Sequence, residues 1–286
     1  MIERIAILGT GLLGTSAGLA LRAAGFSGSL IGWNRGSEQA ELALRMGAID
    51  SVATDPLQMA RSSQIVLLAA PVFAILDWME QFAGVLGPEQ LITDVGSTKA
   101  QIAAAADRYF NRPGRASFLP SHPMAGKERS GAAQADANLY RGAVWLFTDD
   151  PNWKRSEEAA ALVADWRIWV AKMGAKAMDL NAVRHDELVA WVSHLPQFVS
   201  TALSALLEDR MGDAPELKDV GGRGLREMTR LGASPYSMWR DIAHTNTKEI
   251  CDALFALEQR LAHIRENLRT PELRSEFDKA NQFRRE

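Results

Sequence analysis

Residues 4 to 14 read Arg4-Ile5-Ala6-Ile7-Leu8-Gly9-Thr10-Gly11-Leu12-Leu13-Gly14, and this stretch decides the fold. Its apolar start suits a buried strand, its glycines suit a tight turn, and the apolar spacing beyond suits a helix that Gly25 stops. Gly9 permits the turn, Gly11 lets the backbone approach a pyrophosphate, and Gly14 lets the helix lie against the strand. Phosphates would then meet the free N–H groups of a helix N-terminus, with Thr10, Leu12 and Leu13 completing the cradle. A bare GxGxxG is weak; the strand before it and the helix after it make it a nucleotide site.

Outward from this turn, residues 29–33 form a second strand ending at Asn34, where an NAD-binding fold usually places an acidic residue. Here an amide, a guanidinium and a hydroxyl (Asn34, Arg35, Ser37) face the expected adenosine ribose, which suits a 2′-phosphate better than a free 2′-hydroxyl. The expected cofactor is therefore NADP, with NAD the alternative. Residues 48–52 suggest a third strand, and Asp55-Pro56 a helix start. The apolar run 64–70 suits the middle of a parallel sheet covered on both faces. Pro71 ends it, a helical pattern follows over 73–82, and 91–95 is the next strand. Ligands bind outside the carboxyl ends of such strands, which makes Ala70, Pro71, Gly96 and Ser97 candidates for the site edge.

A sixth strand, 117–119, leads into Pro120-Ser121-His122-Pro123. Two prolines stiffen the backbone around His122, which the pattern puts on a loop past a strand end, close to Ser97. A side chain with a near-neutral pKa, held in that way, suits a general base. Further strands are expected at 143–147 and 175–180, separated by a helix whose tryptophans, Trp166 and Trp169, read as core. After about Asn181 strand signals cease. The sequence thus divides into a doubly wound Rossmann-type α/β domain, 1–181, and an all-α domain, 182–286.

In the second half, residues 185–208 read as a long helix bent near Pro196, just after His194. A break rich in glycine and charge covers 212–224. Ile250, Leu254, Leu257, Leu261, Ile264 and Leu268 then form a heptad seam that needs a partner helix, within the domain or in a second subunit. A charged tail begins at Thr270.

Composition excludes several classes. A net charge of −3 with both signs interspersed offers no basic stripe, so no nucleic-acid partner is expected. The lone cysteine, Cys251, rules out an internal disulfide and reads as a buried structural thiol. Metal is not expected, because no ligand group has the right spacing. Met1 runs straight into the first strand without a leader pattern, and no apolar run is long enough to span a membrane, so a cytoplasmic protein is expected.

The constellation resembles the prephenate and arogenate dehydrogenases of tyrosine biosynthesis. The resemblance covers almost the whole chain and rests on five motifs: Gly9-Thr-Gly-Leu-Leu-Gly14; Asp94-Val-Gly-Ser-Thr-Lys99; His122-Pro-Met-Ala-Gly126 with Glu128 and Gly131; Val192-Ser-His-Leu-Pro196; and Gly224-Leu-Arg-Glu-Met-Thr-Arg230 followed by Met238-Trp-Arg-Asp-Ile242. It implies oxidative decarboxylation of prephenate with hydride transfer to NADP, in a homodimer built through the C-terminal helices. It also implies His122 as base, Ser97 as its hydrogen-bonding neighbour, His194 as a second pocket histidine and Arg230 as carboxylate ligand. Glu128 looks like the family's acidic residue at the pocket mouth, and Trp239 like the residue that reaches in from the partner subunit. Two departures, Lys127 and Arg223, add positive charge near a site for an acidic substrate and favour prephenate over arogenate. The chain is expected to lack a fused mutase or regulatory domain, so that any tyrosine feedback would act at the active site.

Three rivals differ in what they require. An arogenate dehydrogenase would differ only in substrate side chain. A β-hydroxyacid-type dehydrogenase calls for a lysine base where this sequence offers His194. A non-catalytic NADP-binding sensor would have no need of intact Ser97, His122, His194 and Arg230.

Overall fold

Strands that are apolar on both faces must be covered on both faces, and the computed structural model, which describes residues 2–285, has that arrangement. Met1 lies outside the described residues. Strands β1 (Arg4–Leu8), β2 (Ser29–Trp33), β3 (Ser51–Val52), β4 (Ile65–Leu68), β5 (Leu91–Asp94) and β6 (Ser117–Leu119) form one parallel sheet in the order β3-β2-β1-β4-β5-β6. Side chains alternate across it: Ile5, Ile7, Ile65 and Leu67 belong to one core layer, Ala6, Leu8, Val66 and Leu68 to the other. Helices α1 (Leu12–Ala23) and α2 (Ser37–Arg45) cover the first layer, and α3 (Pro56–Arg61), α4 (Val72–Phe82) and α5 (Ala100–Tyr109) cover the second. The strand order reverses between β1 and β4, so the cleft opens at their carboxyl ends, where the glycine turn lies.

The third strand is much shorter than its expected run. Ala48 and Ile49 are buried, yet only Ser51 and Val52 pair, because β3 is an edge strand meeting β2 at Ile31 and Gly32 alone. The later strands form a separate sheet of their own. Pro120 ends the β6 ladder, and the chain then builds β7 (Ser121–Pro123), β8 (Val144–Phe147) and β9 (Lys176–Asp179), in the order β7-β8-β9. Helix α6 (Glu157–Lys172) packs the fully buried Trp166 edge-on against Trp145 of β8, while Trp169 packs at the rim of the same core.

Beyond Asn181, which caps its own helix by accepting from the Val183 and Arg184 amides, the described chain is helical. The helices are α7 (Ala182–Val189), α8 (Leu195–Met211), α9 (Leu217–Val220), α10 (Gly222–Thr229), α11 (Tyr236–Thr245), α12 (Thr247–Glu266) and α13 (Glu272–Arg285). A π-helical turn, Ala190–His194, separates α7 from α8. This turn is the interruption expected near Pro196, since Pro196 itself sits in the first turn of α8, where its missing N–H is no loss. The glycine-rich break contains two short helices, α9 and α10, and the charged tail folds as α13, in which Glu276 pairs with Arg260 and Lys279. Cys251 is exposed, contrary to expectation, because it lies one position beyond the buried Ile250 and so turns off the core face of α12.

The helical half is joined to the sheet through helix ends. Neither α4 nor α5 has a side-chain cap from its own sequence. Asp241 of α11 accepts from the Phe73 amide at 3.2 Å, while Asp186 of α7 accepts from the Lys99 and Ala100 amides at 2.7 and 2.8 Å. Buried carboxylates thus satisfy orphan N–H groups and complement two helix dipoles. The Thr98 and Thr245 hydroxyls bond at 2.7 Å beside them.

Candidate active site

His122 is on a strand, not the loop its flanking prolines suggested, paired antiparallel opposite Leu146. The residue before it is held from several directions. Ser121 donates its amide to Asp94 Oδ1 (2.9 Å) and its hydroxyl to the Asp94 carbonyl (2.6 Å), and its Oγ accepts from Trp145 Nε1 (3.0 Å). From this fixed strand the His122 ring reaches α7. Its Nδ1 lies 2.9 Å from His185 Nε2, and His185 Nδ1 lies 2.8 Å from Asp186 Oδ1.

The chain of contacts sets the tautomers. An ionised carboxylate only accepts, so His185 donates Nδ1–H to Asp186 and presents a lone pair at Nε2. His122 then donates Nδ1–H to that lone pair, which leaves His122 Nε2 unprotonated. Burial disfavours the imidazolium. It holds the His122 pKa well below the usual 6.5, with His185, Lys99 and His194 adding positive character in the same direction. His185 is lowered by burial against the opposing pull of Asp186, and His194 is lowered to about 4, again mainly by burial. At neutral pH the site holds uncharged imidazoles.

His194 lies in the π turn. Its Nδ1 is 3.3 Å from Asn246 Nδ2, which also donates to the Asp186 carbonyl at 2.9 Å. Trp239 packs edge-on against His194 and Phe198 of its own protomer, both at 5.8 Å between centroids, and its buried indole N–H has no acceptor among the described residues. That placement differs from a residue reaching in from a partner subunit.

Arg230 pairs with Glu128 across the two halves of the chain. It is positioned by a short 3₁₀ turn, Arg230–Ala233, which α8 grips through Gln197 Nε2 to the Leu231 carbonyl (2.7 Å) and the Gly232 amide to Ser200 Oγ (3.0 Å). The guanidinium fork has five N–H donors, so holding Glu128 through one nitrogen leaves others for a second carboxylate. Lys127, read as a substrate cation, instead donates to the Gln134 carbonyl (2.8 Å) and lies 3.7 Å from Asp136, closing its own loop. Arg223 is exposed on α10. Ser97 is half-buried beyond β5 but makes no hydrogen bond to His122, whose Nδ1 is taken by His185.

The glycine turn has the geometry of a dinucleotide cradle. Gly9 has φ +98°, and a Cβ there would lie 2.2 Å from the Ala69 carbonyl; one at Gly14 would lie 1.9 Å from the Gly9 carbonyl. Around Gly11 a Cβ would meet nothing within 4 Å, so the space above it is open. Leu12 and Leu13 begin α1, whose first turn has no capping side chain; the Leu13 carbonyl accepts from Tyr140 Oη at 2.7 Å. The buried Thr10 hydroxyl has no partner among the described residues. Free helix amides, an orphan hydroxyl and open space over Gly11 fit a dinucleotide pyrophosphate. At the end of β2, Asn34 donates to the Gly36 carbonyl (3.1 Å), while Arg35 and Ser37 are exposed and make no hydrogen bond or ion pair among the described residues. Ala70 and Pro71 follow β4 at the cleft, and the buried Gly96 donates its amide to Asp94 Oδ2 (2.7 Å).

The sequence reading passed over His185, Asp186 and Asn246. A signal was there: His185 and Asp186 lie one turn beyond Asn181, a helix-capping residue type, within the polar run Arg184-His185-Asp186-Glu187.

A parallel sheet in this order, a glycine cradle at its switch point and a buried histidine pair anchored at the carboxyl end of β5 define a dinucleotide-dependent oxidoreductase architecture. Comparison with known proteins narrows the class. The family model described as "Prephenate dehydrogenase, nucleotide-binding domain" matches residues 17–178, and "Prephenate dehydrogenase, dimerization domain" matches residues 181–280. The chain belongs to the prephenate dehydrogenase family. It is 32% identical over 253 residues to the prephenate dehydrogenase of Bacillus subtilis, covering 88% of this chain and 66% of that one, so it spans just under two thirds of that relative. Among solved structures, prephenate dehydrogenase from Aquifex aeolicus in complex with hydroxyphenyl propionate and NAD+ superposes with a TM-score of 0.87 at 27% identity, covering 99% and 98% of the two chains. Synechocystis arogenate dehydrogenase gives 0.75 at 28% identity, covering 98% of each.

Proposed function

We propose that this chain oxidatively decarboxylates prephenate to 4-hydroxyphenylpyruvate, with NADP preferred over NAD, as a cytoplasmic homodimer. The observation that carries the reading is the His122–His185–Asp186 chain, which leaves an uncharged imidazole with a free lone pair in a buried site anchored at the carboxyl end of β5, in the sheet whose β1 leads into the dinucleotide cradle.

The bound dinucleotide supplies the acceptor for the hydride of the carbinol carbon. His122 Nε2 takes the hydroxyl proton as the carbinol becomes a carbonyl, while His185 and the Asp186 carboxylate behind it stabilise the imidazolium. Loss of carbon dioxide sends the electron pair of the broken C–C bond into the ring, which becomes aromatic. His122 then returns its proton to the phenolate oxygen, so the protein ends in its starting state. Arg230 holds a substrate carboxylate with the donors Glu128 leaves free, and His194 and Trp239 line the pocket.

Lys127 no longer supports prephenate over arogenate, because it is tied to its own loop. The preference rests on Glu128 instead. That carboxylate at the mouth is already paired with Arg230, which leaves it ill-suited to the extra ammonium of arogenate. For the cofactor, Arg35 stands free at the end of β2, with no carboxylate in the turn to repel a 2′-phosphate.

Steady-state kinetics with both substrates and both dinucleotides tests these choices together. Prephenate with NADP should give the highest kcat/KM, and Arg35→Ala should raise KM for NADP by roughly tenfold, the loss of one exposed charge-assisted bond, while barely changing KM for NAD. A tenfold advantage for arogenate would reverse the substrate, and equal effects of Arg35→Ala on both dinucleotides would show that Arg35 points elsewhere.

The homodimer reading rests on the helical half. Of the heptad seam only Ile250 is buried; Leu261 and Leu268 are 57% and 61% exposed. An apolar face of that extent suits a second copy of the chain. Sedimentation at micromolar concentration should give a dimer, and Leu261→Glu should shift it toward monomer; a wild-type monomer would defeat the reading.

A further inference from the structure

Lys99 is the buried ionisable group that the chemistry above leaves unused. Its side chain is wholly buried, a costly place for an ammonium unless something nearby requires it. The ammonium pairs with the Asp94 carboxylate and donates to the Ser121 carbonyl at 2.8 Å, on the residue just before His122. Its backbone amide donates to Asp186 Oδ1 at 2.7 Å, the same oxygen that accepts from His185. One residue therefore grips the strand that carries the first histidine and the carboxylate that orients the second. Asp94 completes the frame by accepting from the Ser121 and Gly96 amides.

We infer that Lys99 is a positioning residue: it keeps His122 and His185 in register and adds positive charge near the base. The inference rests on His122 being that base. The ionisable groups around His122 are His185 from α7, His194 from the π turn and Lys99 itself, with Asp94 and Asp186 behind them. Burial lowers the Lys99 pKa while the paired Asp94 raises it, and the cation opposes protonation of His122. A leucine or methionine of similar volume would fill the space more cheaply, but it would free the Ser121 carbonyl and let the imidazole protonate at higher pH.

The test compares Lys99→Met, Asp94→Asn/Lys99→Met and His122→Asn with the wild-type chain. The double variant carries no unpaired buried carboxylate, so it remains informative if the single variant fails to fold. Dinucleotide affinity should be little changed in the lysine variants, while kcat falls at least tenfold and the acid limb of kcat/KM moves to higher pH by about one unit. Imidazole ¹⁵N shifts, with the His122 signal assigned by its loss in His122→Asn, should change from one fixed tautomer to a mixture. A folded double variant with wild-type kcat, acid limb and tautomer would overturn the inference, since a merely structural lysine would leave all three in place. Near-normal kcat in His122→Asn would instead remove the base itself, and this inference with it.

Discussion

Replacing His122 with asparagine should lower kcat by about 10²- to 10⁴-fold with little change in dinucleotide binding, because the amide keeps a polar side chain of similar reach but cannot take a proton. His194→Asn and Arg230→Ala should act mainly on substrate KM, since neither is asked to move a proton. The pH profile carries a further signature. The neutral imidazole is the active form, and burial together with His185, Lys99 and His194 holds its pKa well below 6.5 in the free chain. So kcat/KM, which reports the free enzyme, should stay level from neutral pH down through 6.5 and fall only in more acidic solution. Bound substrate carboxylates stabilise the imidazolium, so the acid limb of kcat should lie at higher pH than that of kcat/KM. If His122→Asn kept near-normal kcat while His194→Asn abolished it, the two histidines would exchange roles.

Much of the fold was legible because its strands are apolar runs punctuated by Gly and Pro. Residues 29–33 and 117–119 are strands with the bounds their patterns gave, and helical structure takes over at Asn181. What the sequence hid is non-local. Pro120 marks a strand end in any reading, but that it sends the chain into a second sheet depends on Ser121 being captured by Asp94, 27 residues earlier. The site divides in the same way. His122 stood out through its two prolines, whereas its hydrogen-bond partner is 63 residues away in the polar run Arg184-His185-Asp186-Glu187, which reads as the solvated start of a helix. Ser97 was the natural candidate for that partner, since it follows β5 on the cleft side. The histidine pair prevails because Asp186 is drawn to the uncapped amides of α5 and brings His185 with it.

The glycine turn yields the second large effect, in the contrast between two alanine substitutions three residues apart. A Cβ at Gly14 would lie 1.9 Å from the Gly9 carbonyl and 3.0 Å from both Ala69 Cβ and Ile7 Cγ2. Backbone atoms cannot yield as a side-chain tip does, so α1 must shift off the sheet, at a cost of about 1–3 kcal/mol or more. Gly14→Ala should therefore lower Tm by several degrees and weaken dinucleotide binding at once. At Gly11 the outcome should separate. Its φ of −79° is open to any residue and its Cβ would meet nothing within 4 Å, so Gly11→Ala should leave stability within about 0.5 kcal/mol of the parent. Yet that methyl would occupy the open space where a pyrophosphate comes down on the free amides of α1, and a steric cost of about 1–3 kcal/mol there is roughly a 5- to 150-fold rise in Kd. Thermal melting and dinucleotide titration on the two variants decide the matter. If Gly11→Ala bound NADP and NAD as tightly as the parent chain, the pyrophosphate would not lie over this turn, and the cradle would be a packing device for α1 alone.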